Sequence, residues 1–257
     1  MNRRQFIVGA VSSAPLCSRC ATARSRVNGC RTIGAADVAL SKPLPRRTAP
    51  RVEDSASILD ATMWFEDYRT TAQNDFGVTA ALCFYDDSDG MNAIAMPDAL
   101  FPDGPDGTVL MGDNLTRLEW RREPIFPLGS FKFTIGGAWQ SVEIIVAHEF
   151  AHILQYKKGF PPNGPWEMEP HADFMAGWLL GVKMERMVKF YGEDIGALGI
   201  EEGARSMFQK GDTLFNDREH HGEPQLRAAM VHGGFNARKE NITTAFELGK
   251  SMAGLKG

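Results

Sequence analysis

Apolar residues along this chain change period in a definite order. Ile58, Leu59, Met63 and Trp64 recur at helical spacing and predict a helix over 54–70. Three short apolar runs follow, at 78–85, 92–96 and 108–111, rich in residues that suit strands. They are separated by the turn formers Asp87-Ser88-Asp89-Gly90 and Pro102-Asp103-Gly104-Pro105-Asp106-Gly107. Beyond residue 138 the pattern becomes helical again, with long apolar stretches over 138–158 and 169–188 and shorter ones near 200–210, 223–233 and 241–252. The order predicts an α+β chain, mostly helical, with a small sheet of about three strands ahead of the long helices. No internal repeat is visible.

The first long helix, free of Pro and Gly, contains His148-Glu149-Phe150-Ala151-His152. Residues four apart lie about one turn apart on one face of a helix, so two imidazoles can grip one zinc ion. Glu149 sits one step round and can act as general base towards the metal's water. Zinc hydrolases need a third protein ligand and an open fourth position. A metzincin would place Gly at 155 and His at 158, where this chain has Gln155 and Lys158.

The next helix carries Glu169-Pro170-His171-Ala172-Asp173. Proline is tolerated in a first helical turn and not in a helix interior, so this helix is expected to begin near Glu169. Glu169 and Asp173 are four apart and share a face. One carboxylate can reach a metal and the other can hold a ligand imidazole by its second nitrogen. The alternative is that Glu169 complements the positive end of the helix and Asp173 lies on a solvated face. His171 points the other way and reads as a surface or packing histidine.

His148-Glu149-x-x-His152 followed by Glu169-x-x-Ala172-Asp173-x-x-Ala176-Gly177 resembles the gluzincin peptidases, whose third ligand is the Glu of an E-x-x-A-D helix. The likeness is nearest to the neutral zinc metallopeptidases of bacteria, and more distant to the prenyl-protein and membrane-stress peptidases. Asn92-Ala93-Ile94-Ala95-Met96-Pro97 and Gly107-Thr108-Val109-Leu110-Met111-Gly112 are similar to that family's strands before the zinc helix. Phe215-Asn216, His221-Gly222-x-x-x-x-Arg227 and Gly234-Phe235 are similar to its closing segment. Together these cover about 75–235. The chain departs from the pattern at Pro170, where a helix former is usual, and at Glu223-Pro224, where small hydroxyl residues are usual. The resemblance implies a zincin-like fold, one Zn²⁺ per chain held by His148, His152 and Glu169, Glu149 as catalytic base, and Asp173 supporting a ligand.

Other candidates carry less. Strand 92–97 could pair its edge with an extended substrate, with Asn92, Ala93 and Ala95 allowing close approach. His221 and Arg227 could supply charge near a developing oxyanion, or equally form a helix cap and a surface ion pair. The acidic cluster Asp86, Asp87, Asp89 and Gly90 lacks the closing Glu of a calcium loop, since Met96 stands there, and a plain turn is expected.

Composition narrows the setting. A chain of 257 residues, 43% hydrophobic, can bury one good core. Residues 1–52 carry ten Lys or Arg against the single acid Asp37, leaving 18 basic and 31 acidic residues, a net charge of −13, in the remainder. So acidic a body argues against nucleic acid or an anionic membrane as partner. Residues 1–23 read as an export signal: Arg3-Arg4-Gln5-Phe6-Ile7 and a short apolar stretch resemble a twin-arginine signal, with an ordinary Sec signal as the alternative. That stretch is too short to span a bilayer. Ala14-Pro15-Leu16 before Cys17 fits a lipoprotein signal poorly. Residues 24–52, rich in Arg, Ala and Pro, read as a linker, and 53–257 as the catalytic domain. Of four cysteines, Cys17, Cys20 and Cys30 fall in or near the signal, and Cys83 is expected to be an inert core thiol.

The reading is thus an exported, periplasmic, zinc-dependent endopeptidase acting on peptide or protein substrates, with no membrane span in its mature part. Its alternatives are a catalytically silent zinc-containing binding module and a hydrolase of a non-peptide amide.

Overall fold

The computed structural model describes residues 55–87, 92–120, 139–160, 165–191, 200, 204, 205 and 223–255. Residues 1–52, where an export signal and a linker are expected, and Asp89, Gly90, Phe215, Asn216 and His221 lie outside them, as does most of the helix expected near 200–210. Ile200 and Ala204 are described and join the core.

Helix α1 (Ser55–Asp75) buries Phe65, Tyr68 and Ala72, a stripe at spacings of three and four that faces the core. The chain reverses at Gly77, whose φ of 66° favours glycine, and enters β1 (Ala81–Tyr85). With β2 (Ala93–Met96) and β3 (Thr108–Gly112) it forms one mixed sheet in the order β1-β3-β2. β3 is central, parallel to β1 and antiparallel to β2, pairing Cys83 with Leu110 and Ala95 with Val109. Alternation sorts the side chains. Leu82, Phe84, Ala93, Ala95, Val109 and Met111 face the main core, and Ala81, Cys83, Ile94, Met96 and Leu110 form a second buried layer. Cys83 is a buried thiol, and β2 is an edge strand lying against the helix that carries the histidines.

The acidic turn has a structural job. Asp87 is buried, and its carboxylate accepts the backbone N–H groups of Asn114 (2.7 Å), Leu115 (3.0 Å) and Asn92 (3.3 Å). It thereby caps a short helix, α2 (Asp113–Trp120), that hydrophobic periodicity did not predict.

Helix α3 (Trp139–Lys157) is buried on every side from Ser141 to Gln155, the behaviour of a helix that is apolar all round. Helix α4 spans Pro165–Tyr191, so it starts four residues before the expected Glu169, with Pro170 inside it. The loss is limited to one backbone bond, the one Pro170 cannot donate to the carbonyl of residue 166 in the opening turn. Helix α5 (Pro224–Asn236) crosses α4 closely at glycines. A Cβ at Gly177 would overlap the carbonyl oxygen of Val231, and one at Gly234 that of Phe174. Helix α6 (Ile242–Met252), capped by Asn241 accepting the Thr244 N–H at 3.0 Å, closes the fold over α4.

The described part is thus α+β: mostly helical, with a small three-strand mixed sheet preceding the histidine helix. None of its helices is long and apolar enough to cross a membrane. An ionic cluster links α1, α3 and α4: Lys183 Nζ lies 3.1 Å from the buried Glu143, 3.0 Å from the exposed Asp67 and 3.7 Å from the centre of the Tyr68 ring.

Candidate metal centre

Helices α3 and α4 pack side by side, and the facing turns of the two bring three donors together. His148 and His152, one turn apart on α3, direct their Nε2 atoms to within 3.0 Å of each other. Glu169 of α4 places its carboxylate oxygens 3.2 Å from His148 Nε2 and 3.4 Å from His152 Nε2. One ligand atom from each of the three residues lies within 4.8 Å of the others, and all three residues are buried.

A second layer holds the donors. Asp173, one turn after Glu169, sets its Oδ1 2.8 Å from His148 Nδ1. An ionised carboxylate only accepts, so Nδ1 carries a proton towards Asp173, and Nε2 is the nitrogen left to face Glu169 and a metal. Arg227 of α5 reaches in from the other side, donating Nε to Asp173 Oδ2 at 2.7 Å and Nη2 to Asp173 Oδ1 at 2.8 Å. The same Nη2 lies 3.6 Å from Glu169. Arg227 is wholly buried, so its ion pair is not at the surface. The glycine crossing of α4 and α5 brings this guanidinium close enough to Asp173. On the His152 side, Nδ1 meets Gln155 Oε1 at 2.8 Å, and Gln155 Nε2 lies 2.9 Å from both the Met168 carbonyl and His171 Nδ1.

His171 is buried rather than exposed, packed between the rings of Phe160 and Phe246, with its Nε2 3.1 Å from the Phe246 carbonyl. It belongs to the packing and is absent from the donor set. Burial, only partly offset by that carbonyl, lowers its pKa to about 4 and keeps it neutral.

The electrostatics suit a divalent cation. Glu169 and Asp173 set two carboxylates against the one guanidinium of Arg227, and Glu149 adds a third buried carboxyl that a cation beside it would help to ionise. Burial raises the pKa of Glu149 well above the carboxylate range, and the neighbouring Glu169 carboxylate adds to it. Burial alone would lower the pKa of His148, but Asp173 and Glu169 outweigh it and hold the value up. Asp173 is driven the other way: burial would raise it, and Arg227 and His148 keep it below its usual range. Two imidazole nitrogens and a carboxylate oxygen form a donor set that fits a divalent ion such as zinc or ferrous iron.

The remaining candidates fall elsewhere. Ala93 and Ala95 lie on the core face of edge strand β2, against α3. The backbone of Asn92 is already engaged: its carbonyl accepts the Gly112 N–H at 3.0 Å and the Tyr85 hydroxyl at 3.2 Å, and its N–H donates to Asp87. His221 lies outside the described residues. Gln155, three residues after His152 on the same helix, is a neighbour of the site that the sequence does not single out.

No protein-family model, no curated protein and no solved structure matches this chain.

Proposed function

We propose that the chain is an exported zinc-dependent endopeptidase in which His148, His152 and Glu169 hold Zn²⁺ and Glu149 is the general base. The observation that carries this reading is the buried convergence of two imidazole nitrogens and a carboxylate within 4.8 Å, with an additional carboxylate on the same helix that the donor set does not use. Zinc in such a site supplies Lewis acidity towards a carbonyl oxygen and towards water. Glu149 would take the proton of the attacking water as its oxygen bonds to the scissile carbon. It would then hand that proton to the amine as the C–N bond breaks. Asp173 and Arg227 hold His148 and Glu169 in place.

One observation favours a second reading, a catalytically silent zinc-holding module. Every group of the centre is buried, Glu149 included, as in a closed structural site. A purely structural site has no use for Glu149, so substitution there separates the two. Glu149→Gln should abolish cleavage of an unbiased peptide library while zinc stays near one per chain by metal analysis, whereas His148→Ala should lose both. Zinc-loaded wild type that cleaves no peptide would select the silent module, and loss of zinc from Glu149→Gln would overturn its assignment as the base.

A further inference from the structure

The chain of contacts beyond His152 has a direction that can be worked out proton by proton. It ends on two backbone carbonyls, Met168 and Phe246, and a carbonyl can only accept. Because the Met168 carbonyl faces one nitrogen of the Gln155 amide at 2.9 Å, that atom is the NH₂ group, and the amide oxygen faces His152. An amide oxygen also only accepts, so His152 Nδ1 carries the hydrogen and Nε2 carries the lone pair. The second N–H of Gln155 points at His171 Nδ1, which must accept. His171 therefore has its hydrogen on Nε2, which donates to the Phe246 carbonyl at 3.1 Å. Every donor meets an acceptor, and no other assignment satisfies both carbonyls.

We infer that Gln155 and His171 are positioning residues for the metal centre, forming a relay from helix α6 to His152 that holds this ligand in its Nε2-donor tautomer. The inference rests on the zinc reading above and deepens it. The two histidine ligands are then oriented by opposite means. His148 leans on an ionised carboxylate, Asp173, itself gripped by Arg227. His152 leans on a neutral amide, and that choice follows from the charge already present. A carboxylate at 155 would add a further acid to a buried cluster that already sets three carboxyl groups against one guanidinium. His171 supports the amide from behind. Its ring is fixed by Phe160 and Phe246 at centroid distances of 4.9 and 4.6 Å, and Gly249 is glycine where a Cβ would press on it at 3.1 Å. The C-terminal helix α6 is thereby linked to a metal ligand on α3.

The relay predicts opposite orders for zinc affinity and fold stability in two variants of the full-length chain. Gln155→Leu keeps the volume and removes the acceptor, so zinc affinity by chelator competition should fall about 10 to 100-fold. Gln155→Glu keeps an acceptor for His152 Nδ1 and should retain affinity within about threefold of wild type, yet by burying a further carboxylate it should destabilise the zinc-free protein more than Leu does. A role in packing alone would make affinity follow stability. His171→Phe keeps a ring between Phe160 and Phe246 but removes the acceptor, and should fall between wild type and Gln155→Leu in affinity. In ¹⁵N spectra of the zinc-loaded protein, His152 should show its proton on Nδ1. Gln155→Leu binding zinc as tightly as wild type, or His152 found protonated on Nε2, overturns the relay and leaves the zinc site standing. Wild type that binds no zinc overturns the reading beneath it. If Gln155→Leu fails to fold, His171→Phe and the wild-type spectrum still decide.

Discussion

Asp173 and Arg227 form the most deeply buried ion pair among the described residues of the metal centre, and its strength can be measured as a coupling. Asp173→Asn keeps an oxygen for His148 Nδ1 but removes the charge that two guanidinium nitrogens meet at 2.7 and 2.8 Å. Arg227 is then left buried with Glu169 at 3.6 Å. Breaking a buried pair by removing one member destabilises by about 3–5 kcal/mol, and Arg227→Met should do the same by stranding Asp173. Added independently, the two would remove about 6–10 kcal/mol, comparable with the whole stability of a typical domain. The double variant Asp173→Asn/Arg227→Met removes both charges and retains the acceptor for His148. It should therefore be destabilised by much less than the sum, with a coupling on the order of 3 kcal/mol. Urea unfolding in the presence of chelator measures all four corners of the cycle on the metal-free protein. Zinc competition on the same samples should show Asp173→Asn weakened about 10 to 100-fold and the double variant nearer wild type, because its net charge returns to that of the native cluster. Effects that add to within about 0.5 kcal/mol would show that the two side chains do not interact in solution, and the account of the second layer would fall.

Three further outcomes follow from the packing. Gly234→Ala would push a methyl into the Phe174 carbonyl and part α5 from α4, so a loss of about 1–3 kcal/mol or more is expected in denaturant midpoint, together with weaker zinc binding as Arg227 withdraws; an unchanged midpoint would refute the close crossing. Lys183→Met strands Glu143 and should cost about 3–5 kcal/mol by the same unfolding assay, and Glu143→Gln placed on top of it should restore part of that; a further loss in the double variant would contradict the pairing. Zinc held a thousandfold above its dissociation constant should stabilise by about 4 kcal/mol, so removing it with chelator should lower the thermal midpoint by roughly 8–16 °C for a chain of this size, and no shift should occur in His148→Ala; equal shifts in both proteins would place the metal elsewhere.

The legible part of this centre was the part encoded locally. His148 and His152 are one helical turn apart, so helix geometry alone sets both imidazoles on one face, and Glu169 and Asp173 repeat the same spacing on the next helix. What was not legible depends on contacts between elements. The strand order β1-β3-β2 leaves no trace in three short apolar runs. Helix α2 is only two turns long and is capped by Asp87, which lies 27 residues before Asn114. Arg227 looked as fit for a surface pair as for chemistry because its partner is 54 residues away. Pro170 misplaced the start of α4, because the proline that opens this helix is Pro165 and Pro170 follows inside it.

Gln155 and His171 show where local reading stops for a physical reason. A neutral amide and a neutral imidazole carry no charge pattern, no metal-ligand spacing and no apolar period. Their role exists only once α3, α4 and α6 meet and two backbone carbonyls fix the direction of their protons. The charged residues can be guessed from sequence because a buried cluster must balance its charge, and few arrangements of three acids and one base do so around a divalent ion. Neutral groups are under no such constraint. They are recognised by the other rule of the interior, that every buried donor finds an acceptor, and that rule can be applied only when the neighbours are known.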